Sequence, residues 1–186
     1  MSGGIEREIK LPFADVPGAR AAVLAAGATP LRGRRLQDDS LLDTADDRLR
    51  RERAVLRVRV EPDTSFVTFK GPAEISVMKV REELETMVGD GDLLLEVLGR
   101  LGFRVWFRYQ KYREEYRCRD VVVAIDETPV GVFVELEGSE AGITAVAAAL
   151  SRTPADYVTD SYRNLFARRR EELGLPQTDM LFEETT

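Results

Sequence analysis

The sequence has no histidine and only one cysteine, Cys118. Those two shortages exclude an intramolecular disulfide, a zinc finger, an HExxH protease, a Ser-His-Asp triad and a Cys-His dyad. A metal, if one is used, must be held mainly by oxygen, which favours hard ions such as Mg²⁺, Mn²⁺ or Ca²⁺. Long hydrophobic runs are also missing. Segments such as 121–125 are far too short to cross a bilayer, and the first ten residues, MSGGIEREIK, lack the apolar stretch of a secretory signal. The expectation is a cytoplasmic protein, which suits an unpaired cysteine, with no membrane partner. No GxxxxGK[ST] phosphate loop is present.

What the chain has in quantity is charge. Charged residues make up 32 % of the 186 residues, above the roughly 25 % of ordinary soluble domains. The net charge of −6 and a pI near 5.0 argue against a nucleic-acid partner, which calls for a basic surface.

Residues 5–11 alternate apolar and charged, the period of a strand. Asp15 and Pro17 then open an Ala-rich helix that Gly27 ends. Residues 32–44 are polar, with a short strand expected over 38–43. Segments 55–60 and 65–70 form a hairpin across Glu61-Pro62-Asp63-Thr64, followed by a strand over 79–88. The Gly89-Asp90-Gly91-Asp92 turn starts a helix over 93–101. Strands follow over 103–117, 121–126 and 132–137, then helices over 141–150 and 162–173, with loose terminal residues. About eight strands joined by short connections, with three or four helices, make one α+β domain.

The strand charges come in same-face blocks of one sign. Glu6/Glu8, Glu83/Glu85 and Glu135/Glu137 are carboxylate pairs, and Arg57/Arg59 and Lys111/Arg113 are basic pairs. Like charges on neighbouring positions repel unless a facing strand offsets them. An eight-stranded antiparallel closed β-barrel, a tunnel with the charged face inward and helices packed outside, supplies that offset. Arg and Lys in such a tunnel suit phosphate oxygens, and carboxylates suit divalent cations lying between them and the phosphates. The chemistry points to a metal-bound polyphosphate. Trp106, Phe107, Tyr109 and Tyr112 share one basic strand and are expected to cover an outer surface or a rim. The strand also offers a surface for a homodimer. Arg168-Arg169-Arg170 reads as a solvated helix face, with a tunnel plug as the sharper alternative. Cys118, between Arg117 and Arg119, reads as structural.

Glu6-Arg7-Glu8-Ile9-Lys10 resembles the ExExK signature of CYTH-domain proteins, the triphosphate tunnel metalloenzymes. The later blocks follow in the family's order: Leu56-Arg57-Val58-Arg59, Thr68-Phe69-Lys70-Gly71, Arg81-Glu82-Glu83-Leu84-Glu85, Lys111-Tyr112-Arg113, and Asp126 with Gly131 and Phe133-Val134-Glu135-Leu136-Glu137. The resemblance spans about residues 4–170 and implies one CYTH domain over 1–174 with a C-terminal tail over 175–186. It implies Glu6, Glu8, Glu135 and Glu137 as metal-site carboxylates, with Glu83, Glu85 and Asp126 as further acids of that site. It implies Lys10, Arg57, Arg59, Lys70, Arg81, Lys111 and Arg113 as the triphosphate-binding set. Glu6, Glu8, Lys10, Glu135 and Glu137 are the expected catalytic group, and Mg²⁺ or Mn²⁺ the expected cofactor. Within the family the reaction divides. A triphosphatase attacks the terminal phosphorus of inorganic, thiamine or nucleoside triphosphate with water. A class IV adenylyl cyclase makes cyclic AMP and pyrophosphate from ATP. A polyphosphate- or nucleotide-binding module without turnover is the third reading.

Overall fold

A computed structural model describes residues 2–75 and 77–183. In chain order the elements are β1 (Ser2–Phe13), α1 (Val16–Ala25), β2 (Thr29–Thr44), α2 (Arg48–Arg51), β3 (Val55–Val60), β4 (Ser65–Lys70), β5 (Glu74–Ile75), β6 (Lys79–Val88), α3 (Gly91–Arg100), β7 (Phe103–Cys118), β8 (Val121–Thr128), β9 (Gly131–Glu137), α4 (Glu140–Ala149), a 3₁₀ turn at Pro154–Asp156, and α5 (Tyr162–Glu172).

Eight strands pair antiparallel in the order β1-β9-β8-β7-β2-β3-β4-β6, and β6 returns to pair with β1, Glu6 standing opposite Arg81. The sheet is therefore a ring. The two-residue β5 adds to the edge of β6. Among the described residues no helix is long and apolar enough to cross a membrane.

Alternation decides what faces where, because successive strand side chains point to opposite sides. The outward set on β1, β8 and β9 includes Ile9, Leu11, Val121, Val123, Ile125, Val134 and Leu136, all buried under α1 and α4 with Ala19, Val23, Ile143, Val146 and Ala147. Each fully buried aliphatic side chain of this kind contributes roughly 1.5–3 kcal/mol. Gly142 lets α4 come this close: a Cβ there would lie 2.6 Å from the Asp120 carboxylate and 2.8 Å from Val121. The helices start where short polar side chains cap them. Asp15 accepts from the Gly18 amide at 2.7 Å, Asp90 from Leu93 at 2.9 Å, and Ser139 from Gly142 at 3.0 Å.

Two expectations need correction. β2 is not a short strand over 38–43 but sixteen residues long. Its first half pairs with β7 through register shifts at Pro30/Arg32 and Arg32/Arg35, and the exposed arginines there break the apolar alternation. The terminal residues are not loose up to 183. Met180 is fully buried, its amide donates to the Arg108 carbonyl at 3.0 Å, and its carbonyl accepts from the Gln110 amide at 2.9 Å. This segment covers a stretch of β7 that extends beyond β8.

One end of the ring is filled. Leu41, Phe107, Tyr109 and Phe133 form a single apolar cluster with Tyr162 and Phe166 of α5 and with Met180. The aromatic strand is thus split by parity. Phe107 and Tyr109 are buried in this floor, whereas Trp106 packs against its edge under the guanidinium groups of Arg50 and Arg163, and Tyr112 lies under Arg34.

Candidate functional site

Above that floor the ring encloses a cavity of about 360 Å³. Its lining includes Glu6, Glu8, Lys10, Arg57, Arg59, Lys70, Arg81, Glu83, Glu85, Lys111, Arg113, Glu135 and Glu137. The sequence-predicted residues come together because every one of them sits at an inward position of its strand. Asp126 is fully buried and does not line the cavity. The structure places it one layer behind, where it accepts from Arg113 Nε and Nη2 at 2.6 Å each, Lys111 Nζ at 2.9 Å and the Tyr162 hydroxyl at 2.7 Å.

The other carboxylates are also tied to cations. Glu6 accepts from Lys70 Nζ at 2.8 Å and Arg81 Nε at 3.0 Å. Glu8 accepts from Lys79 at 2.5 Å and Lys10 at 3.2 Å. Lys10 reaches on to Glu135 at 3.2 Å, and Glu135 takes Arg113 at 2.7 Å. Lys70 also meets Glu83 at 2.8 Å. On the opposite wall Arg59 forks onto Asp39 at 2.9 and 3.3 Å, and Arg57 bridges Thr68 at 3.1 Å and Glu85 at 3.2 Å.

The electrostatics of these acids diverge. Burial pushes the Glu8 carboxyl up, but Lys10 and Lys79 outweigh it and hold it well below the carboxylate range. Glu135 is held low against burial by Lys10, Arg113 and Lys111. Glu6 goes the other way: burial and the neighbouring Glu8 and Glu83 raise it despite Lys70. Glu137, with no ion pair among the described residues, is pushed up to about 7 by desolvation and by Glu6, Glu135 and Glu83. Because Glu137 is itself exposed at the rim, the repulsion carries more weight than the desolvation. Lys111 is pushed down to about 8 by burial and by Arg113, with Asp126 opposing.

Crowded hard-oxygen donors of this kind fit a divalent cation. Among the described residues no three acids stand ready to hold one as arranged, since Lys and Arg occupy their oxygens. A polyanion that drew those cations onto itself would free Glu6, Glu8 and Glu83, so anion and metal fit the cavity together.

Several lining residues were not legible as site residues. Lys79 lies two positions before Arg81, and continuing that strand's alternation finds it; Asp39, inward on β2, lies behind the lining beneath Arg57 and Arg59. Gln37, Glu61 and Tyr162 also face the cavity, and nothing in their local pattern marks them. Arg168 does not plug the cavity; it pairs with Asp160 on the solvated face of α5. Cys118 is buried, with its thiol 3.7 Å from the Ala26 carbonyl.

The CYTH domain family model matches residues 4–159. A protein of Methanocaldococcus jannaschii, provisionally named an adenylate cyclase, is 32 % identical over 136 residues, 73 % of this chain and 77 % of its own. A Vibrio parahaemolyticus structure, also provisionally named an adenylate cyclase, superposes with a TM-score of 0.77 at 18 % identity, covering 89 % of this chain and 99 % of that one. A Hippeastrum protein described as an adenylyl cyclase with a dominant triphosphatase activity superposes with a TM-score of 0.58 at 20 % identity, covering 94 % and 89 %.

Proposed function

We propose, from the premise that this chain belongs to the CYTH domain family, that it is a divalent-metal-dependent triphosphatase acting on a small-molecule triphosphate. The observation that supports this most is the crowding of Glu6, Glu83, Glu135 and Glu137 against a basic lining, with the Glu137 carboxyl raised to about 7. Among the described residues Glu137 has no cation of its own, whereas Glu6, Glu8, Glu83 and Glu135 share Lys10, Lys70, Lys79, Arg81 and Arg113.

Lys10, Lys70, Arg57, Arg59, Arg81, Lys111 and Arg113 would bind the phosphate chain and stabilise charge on the oxygens of the transferring phosphoryl group. Asp39 and Asp126 hold Arg59, Arg57, Arg113 and Lys111 in place before the substrate arrives. The floor formed by Tyr162 and its neighbours excludes bulk water from the deep end. Mg²⁺ or Mn²⁺, held by Glu6, Glu8, Glu135, Glu137 and the adjoining Glu83 and Glu85, would neutralise phosphate charge and lower the pKa of an attacking water. With no histidine in the chain, Lys111, brought down to about 8 by burial and by Arg113, is the lining group outside the metal-holding acids that titrates near neutrality, and it is the candidate for carrying the proton.

The second reading is an adenylyl cyclase, favoured by the name of the Methanocaldococcus jannaschii relative. Incubation with ATP, inorganic triphosphate or thiamine triphosphate and Mg²⁺ or Mn²⁺, with orthophosphate and cyclic AMP both quantified, separates the readings. Metal-dependent orthophosphate release is expected. Cyclic AMP with pyrophosphate would replace this reading by the cyclase, and binding without any product would leave a nucleotide- or polyphosphate-binding module.

A further inference from the structure

Two of the cavity's lysines share a support that carries no charge. Lys10 and Lys111 both lie over the ring of Tyr162, with Nζ 5.2 and 5.0 Å from its centroid. The face of an aromatic ring attracts a cation at such distances. Both lysines are 3 % exposed, so water competes little for their ammonium groups. Their other partners are carboxylates. Lys10 lies 3.2 Å from Glu8 and from Glu135, and Lys111 lies 2.9 Å from Asp126. A carboxylate neutralises the ammonium it binds and so competes with phosphate. A ring face attracts the same ammonium without a net charge, and the cation stays available to an anion.

Three sets of contacts hold the ring in place. The Tyr162 hydroxyl donates to Asp126 Oδ2 at 2.7 Å. Burial and the Asp126 and Glu135 carboxylates raise this phenol well above its ordinary value, so it remains a donor. Phe133 packs edge-on against the ring, with centroids 5.5 Å apart. The third set comes from the backbone. Pairing of β6 with β1 ends at Lys79, opposite Glu8. Beyond that point Lys10 exchanges both of its backbone hydrogen bonds with Val158, at 2.9 Å each. Ser161 then caps α5, accepting from the Asn164 amide at 3.2 Å, and Tyr162 is the first residue of that helix. The chain after α4 thus continues the wall where β6 stops, and it delivers the ring to the two lysines.

Resting on the triphosphate reading above, we infer that Tyr162 is a positioning residue of the phosphate site. Its ring holds the Lys10 and Lys111 ammonium groups ready for the innermost phosphoryl group, and its hydroxyl fixes Asp126, the anchor of Lys111 and Arg113. Without the ring, both lysines would fold back onto Glu8, Glu135 and Asp126. A polyphosphate would then have to break those pairs before it could bind.

The test reads the Kd of inorganic triphosphate for the full chain, once with Mg²⁺ and once with EDTA. Tyr162→Leu removes ring and hydroxyl and should weaken binding at least about tenfold. Tyr162→Phe keeps the ring and should weaken it no more than about threefold. Phenylalanines with one, two and three ring fluorines at position 162 keep the shape but drain electron density from the ring face, so Kd should rise stepwise along that series. The series decides the matter even if Tyr162→Leu does not fold. Val146→Ala, in the apolar layer outside the ring of strands, lowers stability without touching either lysine and should leave Kd unchanged. A flat fluorine series, a Tyr162→Leu protein that binds like the unaltered chain, or an equal loss in Val146→Ala overturns the inference and leaves the proposed function standing. Where the unaltered chain binds only ATP or thiamine triphosphate, the same variants are read with that ligand. If it binds no triphosphate at all, the proposed function falls and this inference with it.

Discussion

The two walls of the cavity use the same residue types for opposite work. On β2 and β8 two buried acids serve cations that project into the cavity. Asp39 sits under Arg57 and Arg59, and Asp126 under Lys111 and Arg113. Burial works against both carboxylates, yet the cations hold Asp39 low and bring Asp126 to about 2. On β1, β6 and β9 the acids themselves face the cavity and crowd one another, and Glu6 and Glu137 are raised. A buried carboxylate with its cations in place is scaffold. A carboxylate that repels its neighbours stores an unmet demand for positive charge.

The sharpest way to break this contrast is Glu137→Gln. Turnover should fall about 10²–10³-fold while the melting temperature barely moves, because no ion pair is lost. Retained activity in a product assay would show that the crowded wall is not the metal-binding one. Asp126→Asn should do the reverse in kind. Removing one member of a buried ion-pair cluster costs about 3–5 kcal/mol, read as a lower midpoint in urea. A stable Asp126→Asn protein with weakened metal affinity would move Asp126 to the acidic wall. Met180→Ala tests the floor on which both walls rest. Loss of a fully buried Met should cost about 2–4 kcal/mol, and an unchanged midpoint would mean the tail does not seal that end.

The smallest effect checks the scaffold logic outside the cavity. Asp43 is fully buried and accepts from the amides of Thr44, Leu49 and Arg50 at 2.8, 2.9 and 3.0 Å. Burial opposes ionisation there, but those amides hold the carboxyl below its ordinary 3.8. A depressed folded-state value means its stabilisation is present above the unfolded pKa and is lost as pH falls through the folded one. Asp43→Asn should therefore cost about 1–2 kcal/mol near neutral pH, and the gap to the unaltered chain should narrow below pH 4. A gap that stayed constant with pH would refute the assignment.

Most of the ring was legible because eight strands meet both a charged interior and an apolar outer layer, so their alternation is written in opposites such as Arg57-Val58-Arg59. The first half of β2 was not, because Arg32, Arg34 and Arg35 sit where the ladder with β7 is irregular and nothing apolar marks a face. The tail was missed because one methionine among polar residues carries no period. In the site, Lys79 lay one step before the recognised Arg81 block, whereas Asp39 sits on β2, where no block marked the strand. Gln37, Glu61 and Tyr162 depend on contacts 24 to 36 residues apart in the chain, which no local pattern records.

The packed floor under Tyr109, Phe133, Tyr162 and Phe166 turns the ring into a cul-de-sac. A molecule cut in two inside it must be unloaded through the mouth by which it came, so the fragment nearer the mouth departs first and the deeper one waits behind it. A slow-leaving outer fragment would then throttle the whole cycle, and its concentration in the surroundings would act as a brake on the enzyme.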